Sequence, residues 1–393
     1  MADTVLELSF GATTIRAVTS ARVTQVAAPT ISEPPPPVRP LLERALDAPV
    51  GSDPLERRAR SGDRITLIVS DVTRDEPRAE LVAAVRARLP DVRLTLAIAT
   101  GTHGCSGGLS SLGLASLGLS GVGSAGVEAV VDHDGHDDRD LVKVGTTERG
   151  TPVIVHRCAV EADLVIATGV IRPHYFAGWG AGAKAIFPGL GQSASVRINH
   201  RWKTDPSARP GAVSANVCRL DMEEAAGLAA PRAFLLNGVA DAHGQVRAAV
   251  AGDVRAAFRS GVDFGRAWAE VRAPRSACVV VDDLPPVTDS LYQASKLVAS
   301  VAELVQVGGT VVLVAPCPRG IGPLETVNQA IYEIGLKPRL PEGHRIILVS
   351  GLAPEHVLPS YAQPAASVGD AISGVDELLV VRGASKLILH AEP

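Results

Sequence analysis

Short apolar runs alternate along this chain with stretches of helical spacing, and that alternation predicts most of its elements. Ile65–Ser70 and Leu94–Ala99 read as buried strands. Between them Glu80–Leu89 places Leu81, Val85 and Leu89 on one helical face. Strand, loop, helix, strand is a βαβ unit, so these strands are expected to be parallel. Asp163–Thr168 reads as another buried strand, its carboxyl end leading into a loop from Gly169 to His174. Near the start, Val5–Phe10 and Thr13–Val18 flank Gly11-Ala12 as a hairpin, and Pro34 to Pro37 form an extended connector. The apolar run Ala225–Leu236 is broken by Pro231, and Arg272 to Arg275 reads as an inter-domain linker. A second α/β rhythm follows: strand Cys278–Val281, helix Leu291–Gln306, strand Thr310–Ala315, helix Glu325–Ile334, and strands Arg345–Ser350 and Glu377–Val381. Leu109 to Val127 is rich in glycine and serine and reads as a small-residue loop with a short helix.

The pattern predicts an α/β fold of two domains with parallel-rich sheets, residues 1–272 and 276–393. Composition agrees: 46% of the 393 residues are apolar but only 3% aromatic, which suits Val/Leu strands against Ala-rich helices. A net charge of −4, with 38 basic and 42 acidic residues well mixed, gives no basic patch for nucleic acid. The expected partner is a small molecule. No window of about 20 apolar residues is present to span a membrane, and the first residues lack a signal-peptide pattern. Cys105, Cys158, Cys218, Cys278 and Cys317 are odd in number, widely spaced and without CxxC, which fits reduced thiols in a cytoplasmic protein.

Ligands of open α/β sheets gather beyond the carboxyl ends of strands. Ser70-Asp71-Val72-Thr73-Arg74 and Thr100-Gly101-Thr102-His103 follow two such ends. The sharpest stretch is Gly178 to Gly191, in which small residues surround Lys184. Such a loop can let backbone N–H groups approach an anion, although neither a Walker A motif nor an N-terminal GxGxxG is present. A lysine in an apolar glycine loop can also be a covalent attachment site, because desolvation lowers its pKa and frees its amine. His103, His174 and His200 each fall in a loop-level position; histidine suits proton transfer at neutral pH and borderline metals such as nickel or zinc. Arg74 beside Asp71 could grip a carboxylate, and Gln293 and Lys296, three apart, share a helix face. Asp132 to Asp138 has two histidines among acids but no metal-site order, and reads as a solvated loop.

Taken together these pieces resemble the lactate racemase family, the nickel-pincer-nucleotide enzymes. The resemblance rests on SDVTR at 70–74, GTH at 101–103, HD at 133–134, GTTERGTPV at 145–153, EADLVIATGVIRPHYFAGWGAGAKAIFPGLG at 161–191, NHRW at 199–202, DMEEAA at 221–226, LYQASK at 291–296 and APCPRGIG at 315–322. It implies two α/β domains with the active site in the cleft between them. It also implies a nickel-pincer nucleotide, built from a nicotinic acid nucleotide, tethered through a thioamide to Lys184, with Gly180, Gly182 and Gly189 against it and His200 on the nickel. His103 and His174 match the acid/base pair, Asp71 and Arg74 the acid–arginine pair, and Arg74, Gln293 and Lys296 the substrate-binding set. The implied reaction racemises or epimerises a 2-hydroxy acid by hydride transfer through a 2-keto acid, each histidine serving one enantiomer. Cofactor-synthesis enzymes are implied partners, and a homo-oligomer is compatible with this reading. Lactate enzymes of the family resemble FSGGRK before the lysine, where this chain has WGAGAK. Ala183 thus removes a cation, Arg172 adds one before His174, and Ser350 to Tyr361 holds no tryptophan. These departures point to a 2-hydroxy acid larger or more anionic than lactate. The alternatives are a nicotinamide-type 2-hydroxyacid oxidoreductase, for which the dinucleotide fingerprint is missing, and a degenerate anion-binding homologue, which would have lost a histidine or the lysine. A pyridoxal-phosphate enzyme with Lys184 as its Schiff base would leave the histidines unexplained.

Overall fold

A computed structural model describes residues 3–102, 115, 117–119 and 126–393. His103 and most of the small-residue stretch after Leu109 lie outside the described residues. The chain forms two compact units. A central unit comprises 31–172 and 176–267, and a terminal unit comprises 1–30, 173–175 and 268–393.

The central unit is built on a six-stranded sheet in the order Val246–Gly252, Ala233–Ala240, Leu164–Ile171, Arg64–Ser70, Arg93–Ala99, Val127–Asp132. Only its first pair is antiparallel. Every residue of Leu164–Ile171 is buried, as expected of a parallel strand covered on both faces. This strand outruns its predicted end. Gly169, Val170 and Ile171 pair with Asn237, Gly238 and Val239, so the strand continues up to Arg172. Helices Val38–Asp47 and Arg78–Arg86 bury Leu42, Leu46, Leu81 and Val85 against Leu67, Leu96, Ile166 and Leu236. Pro231 sits in the turn joining helix Val217–Ala229 to strand Ala233–Ala240. His133 departs from the solvated-loop expectation: it is fully buried, its Nε2 3.0 Å from the Gly191 carbonyl.

The terminal unit carries the predicted hairpin, Thr4–Phe10 against Thr13–Thr19. Its six-stranded sheet runs Gln363–Ala365, Arg345–Val349, Val305–Val314, Ser276–Asp282, Glu377–Arg382, Arg22–Val26, with every pair parallel. A segment near the chain start therefore completes a sheet built otherwise from residues beyond 275. Helix Leu291–Val301 stops before its predicted end, because Val305 and Gln306 open the next strand. The helix expected over 325–334 is wound as a π-helix over Thr326–Leu336. Arg272 and Ala273 are not a free linker: Glu270–Ala273 pairs in parallel with Ile388–Ala391.

Candidate active site

Lys184 lies in a single 3₁₀ turn, Gly182–Ala185, of the central unit. Ala181 enters the turn at φ 60°, ψ −157°, a region that only glycine occupies readily, and Gly182 follows at φ 66°. The surroundings hold this strained entry in place. Gly182 N–H donates to Asn237 Oδ1 (3.0 Å), while the buried Arg219 guanidinium donates to the carbonyls of Trp179 (3.0 Å) and Ala181 (3.3 Å). Arg219 is paired with the buried Glu223 (3.3 Å) and lies over the Phe258 ring (3.7 Å).

Five N–H groups of this loop are not offered to an anion. Those of Trp179, Gly180, Gly182, Gly189 and Gly191 all go to protein acceptors. The glycines answer chiefly to the protein's own packing: a Cβ at Gly182 would fall 2.6 Å from Phe258, and one at Gly189 would fall 2.1 Å from the Ala185 carbonyl oxygen. At Gly180 it would meet nothing closer than 3.5 Å, so this position is open. Trp179 and Ala183, which differ from the family pattern, are buried in the core.

Lys184 is therefore the chemical centre of the loop. Burial, reinforced by the charges of Arg219 and Arg74, lowers its pKa to about 7. A substantial neutral, nucleophilic fraction follows at physiological pH. Its Nζ sits 5.7 Å from the centre of the Phe176 ring, and the His200 ring meets the same phenyl edge-on at 5.0 Å. One aromatic side chain thus seats both residues. His200 ends helix Ser193–His200, and burial, with Lys184 and Lys203 nearby, holds its pKa down at about 3. Its Nδ1 is 3.0 Å from Asn199 Oδ1. A neutral imidazole with one nitrogen committed is a fit donor for a borderline metal.

Asp71 and Arg74 lie beyond strand Arg64–Ser70. Asp71 Oδ1 accepts from the Thr73 N–H (2.9 Å), closing a tight turn, and Arg74 is exposed. Sequence reasoning missed Arg78, the buried brace of this loop, which donates to the carbonyls of Ser70 (2.8 Å), Asp71 and Arg74. It also missed Glu76, whose pKa burial raises and whose Oε1 lies 3.3 Å from the Val170 N–H. Arg172 donates to the Asp75 carbonyl and shares the field of Glu76. Gly101 N–H donates to the Gly189 carbonyl (2.9 Å), so the segment leading to His103 starts against the glycine loop.

In the terminal unit, His174 stacks on Tyr175, with ring centres 5.2 Å apart and planes at 18°. Tyr175 also faces Lys296 Nζ at 5.7 Å, and its carbonyl accepts from Arg339 (3.2 Å). Lys296 donates to Gln293 Oε1, so the predicted shared face is real. Ser290 caps this helix, accepting from Gln293 N–H (3.3 Å). The structure thus brings His174 together with Gln293 and Lys296, and Lys184 together with His200.

The profile of the lactate racemase N-terminal domain matches residues 10–211. The lactate racemase of Lactiplantibacillus plantarum is 31% identical over 342 residues, 79% of each chain. That of Thermoanaerobacterium thermosaccharolyticum is 28% identical over 371 residues, 86% of each. Among solved structures, the lactate racemase apoprotein of Thermoanaerobacterium thermosaccharolyticum matches in fold with a TM-score of 0.84 at 24% identity, covering 98% of this chain and 100% of its own. A Thermotoga maritima protein matches at 0.66 and 15% identity, covering 92% and 100%. By profile and by sequence, then, this chain belongs to the lactate racemase family, and it is a racemase, an isomerase.

Proposed function

We propose that this racemase inverts a 2-hydroxy acid using a nickel-pincer nucleotide joined covalently to Lys184. The observation that carries the proposal is the pair seated on Phe176: an amine whose pKa is lowered to about 7 beside an imidazole held neutral. The first fits covalent attachment and the second fits a nickel ligand through Nε2. When bound, the group supplies a reversible hydride acceptor, chemistry that no amino-acid side chain offers. The chain's own residues do the rest. His174 takes or returns the hydroxyl proton, in an orientation fixed by its stack on Tyr175. His103 is the proposed partner base for the opposite face. By the family resemblance, Arg74, Gln293 and Lys296 are the proposed substrate-binding residues, and Lys296 is oriented by its hydrogen bond to Gln293 Oε1. Asp71 shapes the loop that presents Arg74.

Arg172 bears on the substrate. Its guanidinium donates to the Asp75 backbone carbonyl and lies in the electrostatic field of Glu76. That removes the main support for a more anionic substrate and leaves size as the discriminating property. We expect the loaded enzyme to racemise bulkier 2-hydroxy monocarboxylates, aryl or sugar-derived, faster than lactate, with no advantage for malate. Polarimetric or chiral-chromatographic assays on such a panel check this. A clear preference for lactate would overturn the size assignment, and racemisation of no 2-hydroxy acid would overturn the function.

A further inference from the structure

A buried polar chain runs behind His200 in the central unit, and the direction of every proton in it can be read. Thr147, Thr151, Asn199 and Asp221 are all buried. Thr151 N–H donates to Thr147 Oγ1 (3.0 Å), which leaves the Thr147 hydroxyl proton for Asp221 Oδ1. The Thr151 hydroxyl donates to Asp221 Oδ2 (2.6 Å). The same oxygen accepts from Asn199 Nδ2 (2.7 Å), whose other proton goes to the Cys218 carbonyl (3.2 Å). Both amide protons of Asn199 are therefore committed, and its Oδ1 can only accept. The group 3.0 Å from that oxygen is His200 Nδ1, so Nδ1 carries the imidazole proton.

We infer that Asp221, acting through Asn199, is a positioning residue that fixes His200 as its Nδ1–H tautomer and so presents Nε2 with its lone pair outward. A histidine in water favours the opposite tautomer, with the proton on Nε2, where it would block a metal. The network selects the minor form before any metal arrives, as outer-shell partners of metal-binding histidines do. Asp221 can do this only as an acceptor of every donor that faces it. An asparagine there would let the Asn199 amide turn over, offer an N–H to Nδ1, and move the imidazole proton to Nε2. The inference rests on the assignment of His200 as the nickel ligand made above.

The test uses full-length protein with isotope-labelled histidine, made without the cofactor-synthesis enzymes. Two-bond proton–nitrogen NMR correlations report the tautomer, with the His200 signals identified by their loss in His200→Gln. Wild type is expected to show a protonated Nδ1 and an unprotonated Nε2. Asp221→Asn and Asn199→Leu are expected to gain the Nε2–H form, which a purely structural tie between the helices would not produce. If one variant fails to fold, the other decides; if both fail, the wild-type spectrum does. An Nε2–H imidazole in wild type, or an unchanged His200 in folded variants, overturns the inference. In protein carrying the adduct, Asn199→Leu is expected to release nickel to a chelator roughly 10- to 100-fold faster. Unchanged release with the adduct intact would overturn the positioning role and leave the proposed function standing. The predicted tautomer in a protein that never acquires an adduct would overturn the proposed function alone.

Discussion

Lys184→Met is expected to abolish racemisation and adduct formation, yet to make the protein lacking cofactor more stable than wild type. The pKa of Lys184 is lowered from 10.5 to about 7 in the folded protein. At about 1.4 kcal/mol per pKa unit, holding the ammonium there costs on the order of 4 kcal/mol at neutral pH. The sign follows from proton counting. Between about pH 7 and the ordinary lysine pKa of about 10.4, the unfolded chain binds the proton and the folded protein does not, so wild-type stability rises with pH through this window. The penalty is full below about pH 7 and vanishes above the ordinary lysine range, whereas methionine carries none. Denaturant unfolding of both proteins across this range should show the advantage of Lys184→Met shrinking as pH rises. A variant less stable than wild type, or a gap constant with pH, would contradict the account of the lysine. A residue that costs stability where it performs chemistry is the usual compromise of an active site.

Gly178→Ala is expected to be among the most damaging single substitutions in the central unit. Gly178 has φ +74°, and a Cβ there would lie 1.8 Å from the Ala212 carbonyl oxygen and 2.7 Å from its carbon. Neither side can yield, because the two segments are stapled together. Gly211 N–H donates to the Gly178 carbonyl (3.1 Å), and the Asn216 amide bridges the carbonyls of Phe176 (2.7 Å) and Ala212 (3.2 Å). A loss above about 4 kcal/mol is expected, enough to deplete soluble protein. Gly180→Ala, two residues on, should keep a near-wild-type thermal midpoint, because the new methyl meets only ordinary contacts. Equal midpoints for the two variants would contradict the reading of this loop as tightly packed around a single open glycine.

The parts of the fold legible in the sequence were those whose signal is local. Ile65–Ser70 and Leu94–Ala99 announce themselves as apolar runs because parallel strands are buried on both faces. Arg22–Val26 does not: it is a mostly exposed edge strand, and its partner, Glu377–Val381, lies at the other end of the chain. Strand Leu164–Ile171 runs past the end its sequence predicts, because Gly169 looks like a breaker whereas pairing with Asn237 overrides that preference. The site divides the same way. Lys184, His174 and His200 stand out as reactive residue types beside small ones. Arg78, Arg219 and the Thr147–Thr151–Asp221–Asn199 chain do not, since each acts through partners brought close only by folding. The glycine loop shows the limit of pattern reading. Its composition resembles an anion cradle, but the N–H groups of Trp179, Gly180, Gly182, Gly189 and Gly191 are spent on the protein, and what the loop presents is the lysine.

The central claim is that Lys184 carries a covalent nickel-bearing group. Intact-mass spectrometry with peptide mapping and metal analysis, on protein made with and without the cofactor-synthesis enzymes, tests it most directly. The account predicts an adduct on Lys184 and one equivalent of nickel in the first preparation only, with racemase activity confined to it. Full racemase activity in the preparation that lacks both adduct and nickel would contradict it.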